Sequence, residues 1–156
     1  MRPKEYFYEY PMLGYYFKVA ITGFSGSDFE CNFQEVSGIS VKFGLEQIVE
    51  GGLNNQIHKL PTHPTYENLV LKRGMFLYNS SQPGLLKWVQ DTLTNFTFSP
   101  KAADIMLLDE NAEPLASWNF QRVFPVALKV SDFNATQGAV QIETMELSYD
   151  YFTRTK

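Results

Sequence analysis

The chain has 156 residues, 44% of them hydrophobic, which suits one globular domain and excludes a wholly disordered chain. Its net charge of −4, from 13 basic and 17 acidic residues, excludes the basic surface with which proteins grip nucleic acid. Cys31 is the only cysteine, so the fold cannot depend on an internal disulfide.

The N-terminus is aromatic and carries no targeting signal. Seven of the first seventeen residues are aromatic, namely Tyr6, Phe7, Tyr8, Tyr10, Tyr15, Tyr16 and Phe17. Because a free tail is normally poor in such residues, residues 1–13 are predicted to form an extension that packs on its own domain or on a neighbouring subunit. The extension lacks the apolar core of a signal peptide, and no later run could span a bilayer. We therefore expect synthesis in the cytoplasm and no membrane insertion.

After the extension, alternation of apolar and polar residues predicts short strands. They are expected over Tyr15–Thr22, over Phe29–Gln34 with Ser37–Gly38 closing the stretch, and from Ile39 through Val41 and Phe43. In the first strand Phe17, Val19 and Ile21 share a face. In the second, Cys31 lies between two phenylalanines on the apolar face, which predicts a buried structural cysteine rather than a reactive thiol.

Residues 44–64 form a long segment rich in glycine, asparagine and proline. A connection of this length is unusual in a compact domain unless it has a function. Its flanks, Gly44–Glu50 and Gln56–Leu60, are predicted to pair as a hairpin that projects from the body of the domain. A projecting hairpin needs a partner, because its exposed edges otherwise invite aggregation.

The next elements are a strand over Asn68–Met75 and a single helix. Ser81 is the expected N-cap, and Pro83 is tolerated in the first helical turn. The apolar side of the helix is predicted from residues at helical spacing, which are Leu85, Trp88, Val89 and Thr92. This helix is expected to cover the open side of a sheet.

The C-terminal third is predicted to be all β. Segments Ala103–Leu108 and Leu115–Val123 form a hairpin, and Phe124-Pro125 should break or bend the strand before the alternation resumes at Val126, Leu128 and Val130. In the last strand, the alternation of apolar and polar residues shifts by one position between Glu143 and Thr144, which predicts a β-bulge there. Seven or more short strands and one helix together predict a closed or nearly closed β barrel.

The residue chemistry predicts no enzyme, no metal site and no cofactor. His58 and His63 are the only histidines, and no further ligands stand at metal-binding spacing around them. The carboxylates Asp104, Asp109, Glu110 and Glu113 surround one hairpin turn and are predicted to be solvated rather than catalytic. Gly51-Gly52 lacks the helix and lysine of a phosphate loop. Lys72-Arg73 is too short a basic run to indicate nucleic-acid binding.

Several segments, in order along the chain, resemble the tail tube protein family of contractile phage tails and extracellular contractile injection systems. They are Glu35–Ile39, Val49–Asn54, Lys59–Pro61, Leu71–Phe76, Trp88, Leu107–Pro114, Trp118, Val123–Val126 and Ile142–Leu147. Each segment alone is weakly specific, but their order covers nearly the whole chain. The chain departs from the family pattern at Thr62–Thr65, which replaces a glycine-rich passage, and at Asn111-Ala112, which lacks the usual turn glycine.

The resemblance implies a single tail-tube-like domain over residues 1–156, a β barrel with one flanking helix, in a family related in fold to the type VI secretion inner-tube protein. It implies a structural subunit that self-assembles into stacked hexameric rings within a contractile sheath, forming a channel for DNA or protein cargo. Its partners would be further copies of itself, the sheath protein, baseplate and tube-end proteins and the cargo, without a small-molecule substrate. Its location would be a phage tail or an injection particle.

Three sets of residues are predicted to make the contacts of such a tube. Ring-to-ring contacts are assigned to Gln47, Glu50, Gly51, Gly52, Asn54, Asn55 and Gln56. The lumen is assigned to Lys18, Asn32 and Gln34, and the sheath contact to Lys87, Gln90 and Asp91. Two alternatives stay open: a specialised tube-end or baseplate-proximal ring paralogue that does not stack, and a monomeric β-barrel module that binds a small ligand or peptide.

Overall fold

The computed structural model describes residues 14, 16–24, 29–31, 33–48, 57–75, 83–136 and 138–156. Within these ranges the chain forms ten strands and one helix, so the mainly β fold with a single helix is confirmed. In chain order they are β1 (Phe17–Thr22), β2 (Phe29–Cys31), β3 (Glu35–Ser37), β4 (Val41–Ile48), β5 (His58–Tyr66), β6 (Leu69–Gly74), α1 (Pro83–Asn95), β7 (Lys101–Leu108), β8 (Pro114–Val130), β9 (Ile142–Ser148) and β10 (Tyr151–Arg154).

Eight strands form one antiparallel sheet and the other two form a separate ribbon. The sheet has the order β2-β1-β7-β8-β9-β6-β3, with β10 paired to β8, whereas β4 pairs with β5. Strand β8 joins the two halves of the sheet, because its first part pairs with β7 and β10 and its last part with β9. Within the described residues the path from β2 to β3 does not close, so the closed barrel and the projection of the hairpin remain predictions.

The core draws side chains from both halves of the sheet. Val19 and Ile21 of β1 lie fully buried in the same cluster as Leu69 and Leu71 of β6, so the sheet curls around this cluster. The predicted alternation of β1 and the predicted strand at Asn68–Met75 are both confirmed. Burial of apolar area of this kind is the main force that holds such a sheet together.

Helix α1 packs its predicted apolar side on the core. Leu85 and Val89 are fully buried, and Trp88 is buried with its indole N–H donating to the carbonyl of Ser99 at 2.8 Å. The helix begins at Pro83, and the predicted N-cap Ser81 lies outside the described residues. It ends where Phe96 adopts a positive φ of 53° and the chain turns away.

The segment over 44–64, predicted as a projecting hairpin loop with paired flanks, contains more strand than those flanks. Strand β4 continues through Gly44 to Ile48, and β5 begins at His58, so both histidines and both prolines of the segment lie in a strand. Proline is compatible with this strand because a two-stranded ribbon leaves one edge of each strand unpaired. Residues Glu35–Ser37 form a separate strand β3, which was not predicted, and its last residue, Ser37, was expected only to close the second strand with Gly38.

The predicted β-bulge at Glu143 and Thr144 is wrong. Strand β9 pairs with β6 without any shift of register. Val140, expected to face the core, is 77% exposed, whereas Glu143 occupies the buried side of the strand. The apolar phase therefore does not slip, because a buried carboxylate takes a position where an apolar residue was expected.

Phe124-Pro125 does not break β8, which runs unbroken from Pro114 to Val130. The irregularity lies instead in the pairing of β8 with β9, where the register shifts between Pro125 and Ala127. Proline donates no hydrogen bond, so it suits the point where β8 exchanges one set of partners for another.

The turn between β7 and β8 is held by one carboxylate. The Oδ1 atom of Asp109 accepts hydrogen bonds from the backbone N–H groups of Asn111 and Glu113, each at 2.8 Å. Ala112 has a φ of 62°, the left-handed conformation that glycine adopts without steric cost. The predicted hairpin is confirmed, and Asp109 has a structural role in its turn.

Candidate assembly surfaces

The β4–β5 ribbon is exposed along nearly its whole length. Every residue of β4 is exposed, and in β5 only Tyr66, next to the body, is half-buried. Of the residues predicted to join rings, the structure places Gln47, opposite Lys59 on the partner strand. The other six, Glu50, Gly51, Gly52, Asn54, Asn55 and Gln56, lie outside the described residues.

The two faces of the ribbon differ in polarity. Directly paired residues share a face in an antiparallel ladder. Pairing thus places Val41, Phe43, Leu45, Pro61, Pro64 and Tyr66 on one side, which we call the apolar face and which continues beyond Leu45 with the polar pair Gln47 and Lys59. A shift of register between Phe43 and Leu45 keeps both prolines on that face. Phe43 and Leu45 are 61% and 60% exposed, so the apolar face is largely uncovered within the described chain.

The opposite face of the ribbon is mainly polar and partnered near the body. Its members include Lys42, Glu46, His58 and Thr65, with Ile48 and Leu60 toward the end of the ribbon that lies farther from β3 and β6. The ammonium group of Lys42 pairs with the carboxylate of Glu67, and this contact lowers the pKa of Glu67 through its hydrogen bond and its charge. Because both groups are exposed, the pair contributes little to stability.

Aromatic rings anchor the base of the ribbon to the core. The ring centroid of Tyr66 lies 5.7 Å from that of Tyr149 and 5.8 Å from that of Phe152, both in edge-on geometry. Burial raises the pKa of Tyr149, and its hydroxyl group donates a long hydrogen bond of 3.4 Å to the carbonyl of Gly38. The ribbon therefore starts from a fixed, packed base.

A second candidate surface is the polar outer face of β1, β7 and β8. Strand pairing sets Lys18 beside Met106 and Ala20 beside Asp104. On the other side of β7, Met106 lies beside Ser117 and Asp104 beside Asn119. The side-chain amide of Asn119 donates to Asp104 at 2.6 Å. Asp104, grouped by sequence with the turn carboxylates, thus belongs to a hydrogen-bonded polar surface that sequence reasoning missed.

The two described residues of the predicted lumen set, Lys18 and Gln34, do not lie together. Lys18 lies on the polar face just described, whereas Gln34 borders an apolar cleft whose walls include Phe17 and Trp118. Phe17 and Lys18 are neighbours in β1, so their side chains point to opposite sides of the sheet. Asn32 lies outside the described residues. The lumen assignment therefore stays a prediction.

The outer side of α1 has the predicted polar character. Lys87 and Gln90 are exposed, and Asp91 is half-buried. The carboxylate of Asp91 accepts a hydrogen bond of 3.0 Å from the side-chain amide of Asn95, one turn later. No contact of the described chain tests the predicted sheath role of these residues.

A buried ion pair crosses from β6 to β9. Arg73 is 4% exposed and Glu143 is 9% exposed, and both Nε and a terminal nitrogen of the guanidinium lie 3.0 Å from Oε2 of the carboxylate. The sequence did indicate this burial, because both residues occupy alternate positions that are otherwise apolar in their strands. Arg73 was instead interpreted as part of a short basic run, and Glu143 as the site of a shift in the apolar alternation. The pair is structural, because it is enclosed by the core.

The described residues hold no cluster suited to metal binding. No group of three or more histidine, cysteine, aspartate or glutamate side chains among them could hold an ion, and both histidines lie in the exposed β5. No helix found in the described ranges has the length and apolarity required to cross a membrane.

Comparisons with known proteins agree with the resemblance. Curated protein sequences give no match. A chain in the cryo-EM structure of the anti-feeding prophage baseplate has a TM-score of 0.84 and 28% identity, over 93% of this chain and 95% of that chain. A chain in the extended PVC sheath-tube complex, an extracellular contractile injection system, has a TM-score of 0.80 and 25% identity, over 95% and 93%. One in the PVC sheath/tube terminator has a TM-score of 0.81 and 25% identity, over 96% and 99%.

The family comparison covers nearly the whole chain. The model of the T4-like virus tail tube protein gp19 matches residues 13–153, which include the helix and all of the described strands except Arg154, the last residue of β10. Fold, exposed surfaces and sequence pattern thus lead to one assignment: the chain belongs to the family of the T4-like virus tail tube protein gp19, the structural tail tube proteins.

Proposed function

We propose that this protein is the inner-tube subunit of a contractile phage tail or contractile injection system, and that it assembles into stacked hexameric rings. The family match over residues 13–153 is the observation that carries the proposal. The rings form a channel for DNA or protein cargo inside a contractile sheath. Its further partners are the sheath, baseplate and tube-end proteins, and the protein acts without catalysis or cofactor.

The exposed ribbon supports self-assembly. A two-stranded ribbon is marginal in water by itself. This one also exposes Phe43 and Leu45 on its apolar face, at 61% and 60%. A second subunit that covers this face removes apolar area from water and adds contacts to a structure that has few of its own. In the proposed tube, Gln47 meets the next ring together with the other residues of the predicted set, which are Glu50, Gly51, Gly52, Asn54, Asn55 and Gln56.

The polar outer face of β1, β7 and β8 suits the wall of a channel. Its hydrogen bonds are satisfied locally, as between Asn119 and Asp104, and its charges are few. Such a wall offers passing cargo little charge to bind. The outer side of α1, with Lys87, Gln90 and Asp91, is assigned to the sheath.

Assembly of the purified protein tests the proposal. Negative-stain electron microscopy should show hollow tubes or stacked six-fold rings, and size-exclusion chromatography with light scattering should show hexamers or larger species. A variant lacking residues 47–56 should keep the β-rich circular dichroism of the body and form no tubes. Tubes of normal length from that variant would contradict the assigned role of the ribbon.

The second candidate function is a tube-end ring paralogue. It is favoured by the likeness to a chain of the sheath/tube terminator, which is as strong as the likeness to the sheath-tube complex. Single rings that never stack, at any protein concentration, would support this candidate over the main tube subunit.

A monomeric ligand-binding module is less well supported. The apolar cleft beside Gln34 has a volume of about 240 Å³, and a more polar depression beside Lys18 and Met106 has about 440 Å³. Pockets for small molecules usually enclose roughly 300 Å³ or more, so the family match over residues 13–153, rather than cavity volume, disfavours this module. A monodisperse monomer in the light-scattering experiment would favour this alternative.

A further inference from the structure

Strands β3 to β6 are two parts of one long hairpin with an interruption. Ser37 pairs with Val70 below the interruption, and Val41 pairs with Tyr66 above it. Three residues on each strand separate these two pairs, so the register is the same on both sides. We call the unpaired connectors, Gly38–Ser40 and Glu67–Asn68, the elbow.

The side of the hairpin that faces the core changes at the elbow. Below it, Val36 and Leu71 face the core, while Glu35 and Lys72 form an exposed ion pair of 2.9 Å on the outside. In an uninterrupted ladder, every second residue after Val36 would stay on the core side. Above the elbow the opposite set packs on the core.

Ile39 and Tyr66 show this exchange. Both pack against the core cluster, although an uninterrupted ladder would put them on the outer side with Glu35. The hairpin has therefore turned over while keeping its register. As a result, the apolar face of the ribbon continues outward from the core, from half-buried Tyr66 to Val41 at 46% and Phe43 at 61% exposure.

Gly38 makes this turn sterically possible. Its φ of +91° lies in the region that side chains disfavour. A Cβ atom built there would lie 2.0 Å from the carbonyl oxygen of Asn68, so the two connectors meet backbone to backbone. A side chain at this position would force the connectors apart.

We infer that the elbow turns the hairpin over so that the apolar face of the ribbon meets a second copy of this chain, with Gly38 as the positioning residue. The inference rests on the proposed function for the statement that copies assemble. The chain also carries a second exposed apolar surface at the β8–β9 connection, where Phe133 and Val140 are each 77% exposed. Contact between two different surfaces of identical subunits builds rings and stacks.

Thiol labelling tests which face becomes covered. In a Cys31→Ser background, Phe43→Cys reports the apolar face and its neighbour Lys42→Cys is the matched control on the polar face. Because thiol reactivity follows exposure, assembly should slow labelling at position 43 by about tenfold or more and at position 42 by less than about threefold. Equal protection of both positions, or greater protection of position 42, would overturn the inference.

The elbow itself is tested in the unassembled subunit. Spin labels at Glu46→Cys and Glu110→Cys report the distance between the ribbon and the body of the subunit. Gly38→Ala should shift or broaden the distribution of this distance. The same substitution should abolish tube formation. The matched control is Gly138→Ala, where an added Cβ meets nothing within 4 Å. An unchanged distance together with normal tubes in Gly38→Ala would refute the positioning role.

Failure of the proposed function and failure of the elbow inference can be distinguished. If the unmodified protein never assembles, the proposed function fails, while the distance measurement on Gly38→Ala still decides whether the elbow sets the ribbon. If Gly38→Ala does not fold, the labelling at positions 42 and 43 in the Cys31→Ser background decides the inference.

Discussion

The buried ion pair between Arg73 and Glu143 leads to a sharp stability prediction. The change Glu143→Gln keeps the length and nearly the shape of the side chain but removes its charge. The guanidinium of Arg73, only 4% exposed, then remains in the core without its carboxylate. The cost of the substitution is therefore that of a buried charge, not of a lost surface contact.

The magnitude follows from the burial of both partners. Removing one member of a buried pair typically costs about 3–5 kcal/mol. Because glutamine still offers an oxygen to the guanidinium, we expect the low end, about 3 kcal/mol. For a domain of this size that corresponds to a fall of roughly 6–12 °C in melting temperature.

Urea unfolding followed by circular dichroism measures the change. The matched control is Glu146→Gln on the same strand. The partner of Glu146 is Lys129, whose side chain is 67% exposed. This control substitution should therefore lower the free energy of unfolding by less than about 1 kcal/mol. The double change Arg73→Met with Glu143→Leu should recover most of the loss, because apolar replacement of a buried pair is often close to neutral. A loss below about 1 kcal/mol for Glu143→Gln would refute the reasoning.

Three other outcomes are expected in the same unfolding experiments. Phe120→Ala should cost about 3–5 kcal/mol, because this fully buried ring contacts two other aromatic rings, whereas Phe133→Ala at 77% exposure should change stability by less than about 0.5 kcal/mol. Ala112→Gly should raise stability by roughly 0.5 kcal/mol, because relief of the left-handed strain exceeds the added chain entropy. The folded-state pKa of Glu67 lies below its usual value of 4.5, so its contribution should be present at neutral pH and disappear as pH falls through that folded-state pKa. A difference between wild type and Glu67→Gln that persists at pH 2 would contradict this last assignment.

The regular elements could be predicted because their apolar pattern reports burial directly. In β1 the larger apolar residues Phe17, Val19 and Ile21 occupy every second position, although Ala20 between them is buried as well, and α1 repeats Leu85, Trp88 and Val89 at helical spacing. The β7–β8 hairpin was predictable from two apolar runs around a polar turn. In each case one face is buried by the protein's own core, which is the condition under which such patterns are informative.

The ribbon was less predictable because its apolar face is covered by nothing in the described chain. Glycine and proline in residues 44–64 indicated a loop, and both are in fact compatible with a two-stranded ribbon whose outer edges are unpaired. The elbow could not be predicted from periodicity. Within three residues it changes which alternate residues of both strands face the core, and such a short change leaves no periodic pattern in the sequence. A buried charge such as Glu143 misleads for a related reason, because polarity was taken as evidence of exposure.

The ion pair and the elbow act on the same strand, and this links stability to assembly. Arg73 lies on β6, the strand that continues directly from the elbow, and β6 pairs with β9 in a single register. A slip of one residue would move Arg73 and Glu143 to opposite faces, so their burial selects that register. Strand β6 also pairs with β3, and that pairing sets where Asn68 meets Gly38, and hence the direction of the ribbon. Variants of the ion pair should therefore lower stability and, when they loosen β6, also misdirect the ribbon, whereas variants of the apolar face should impair assembly in a fully stable subunit.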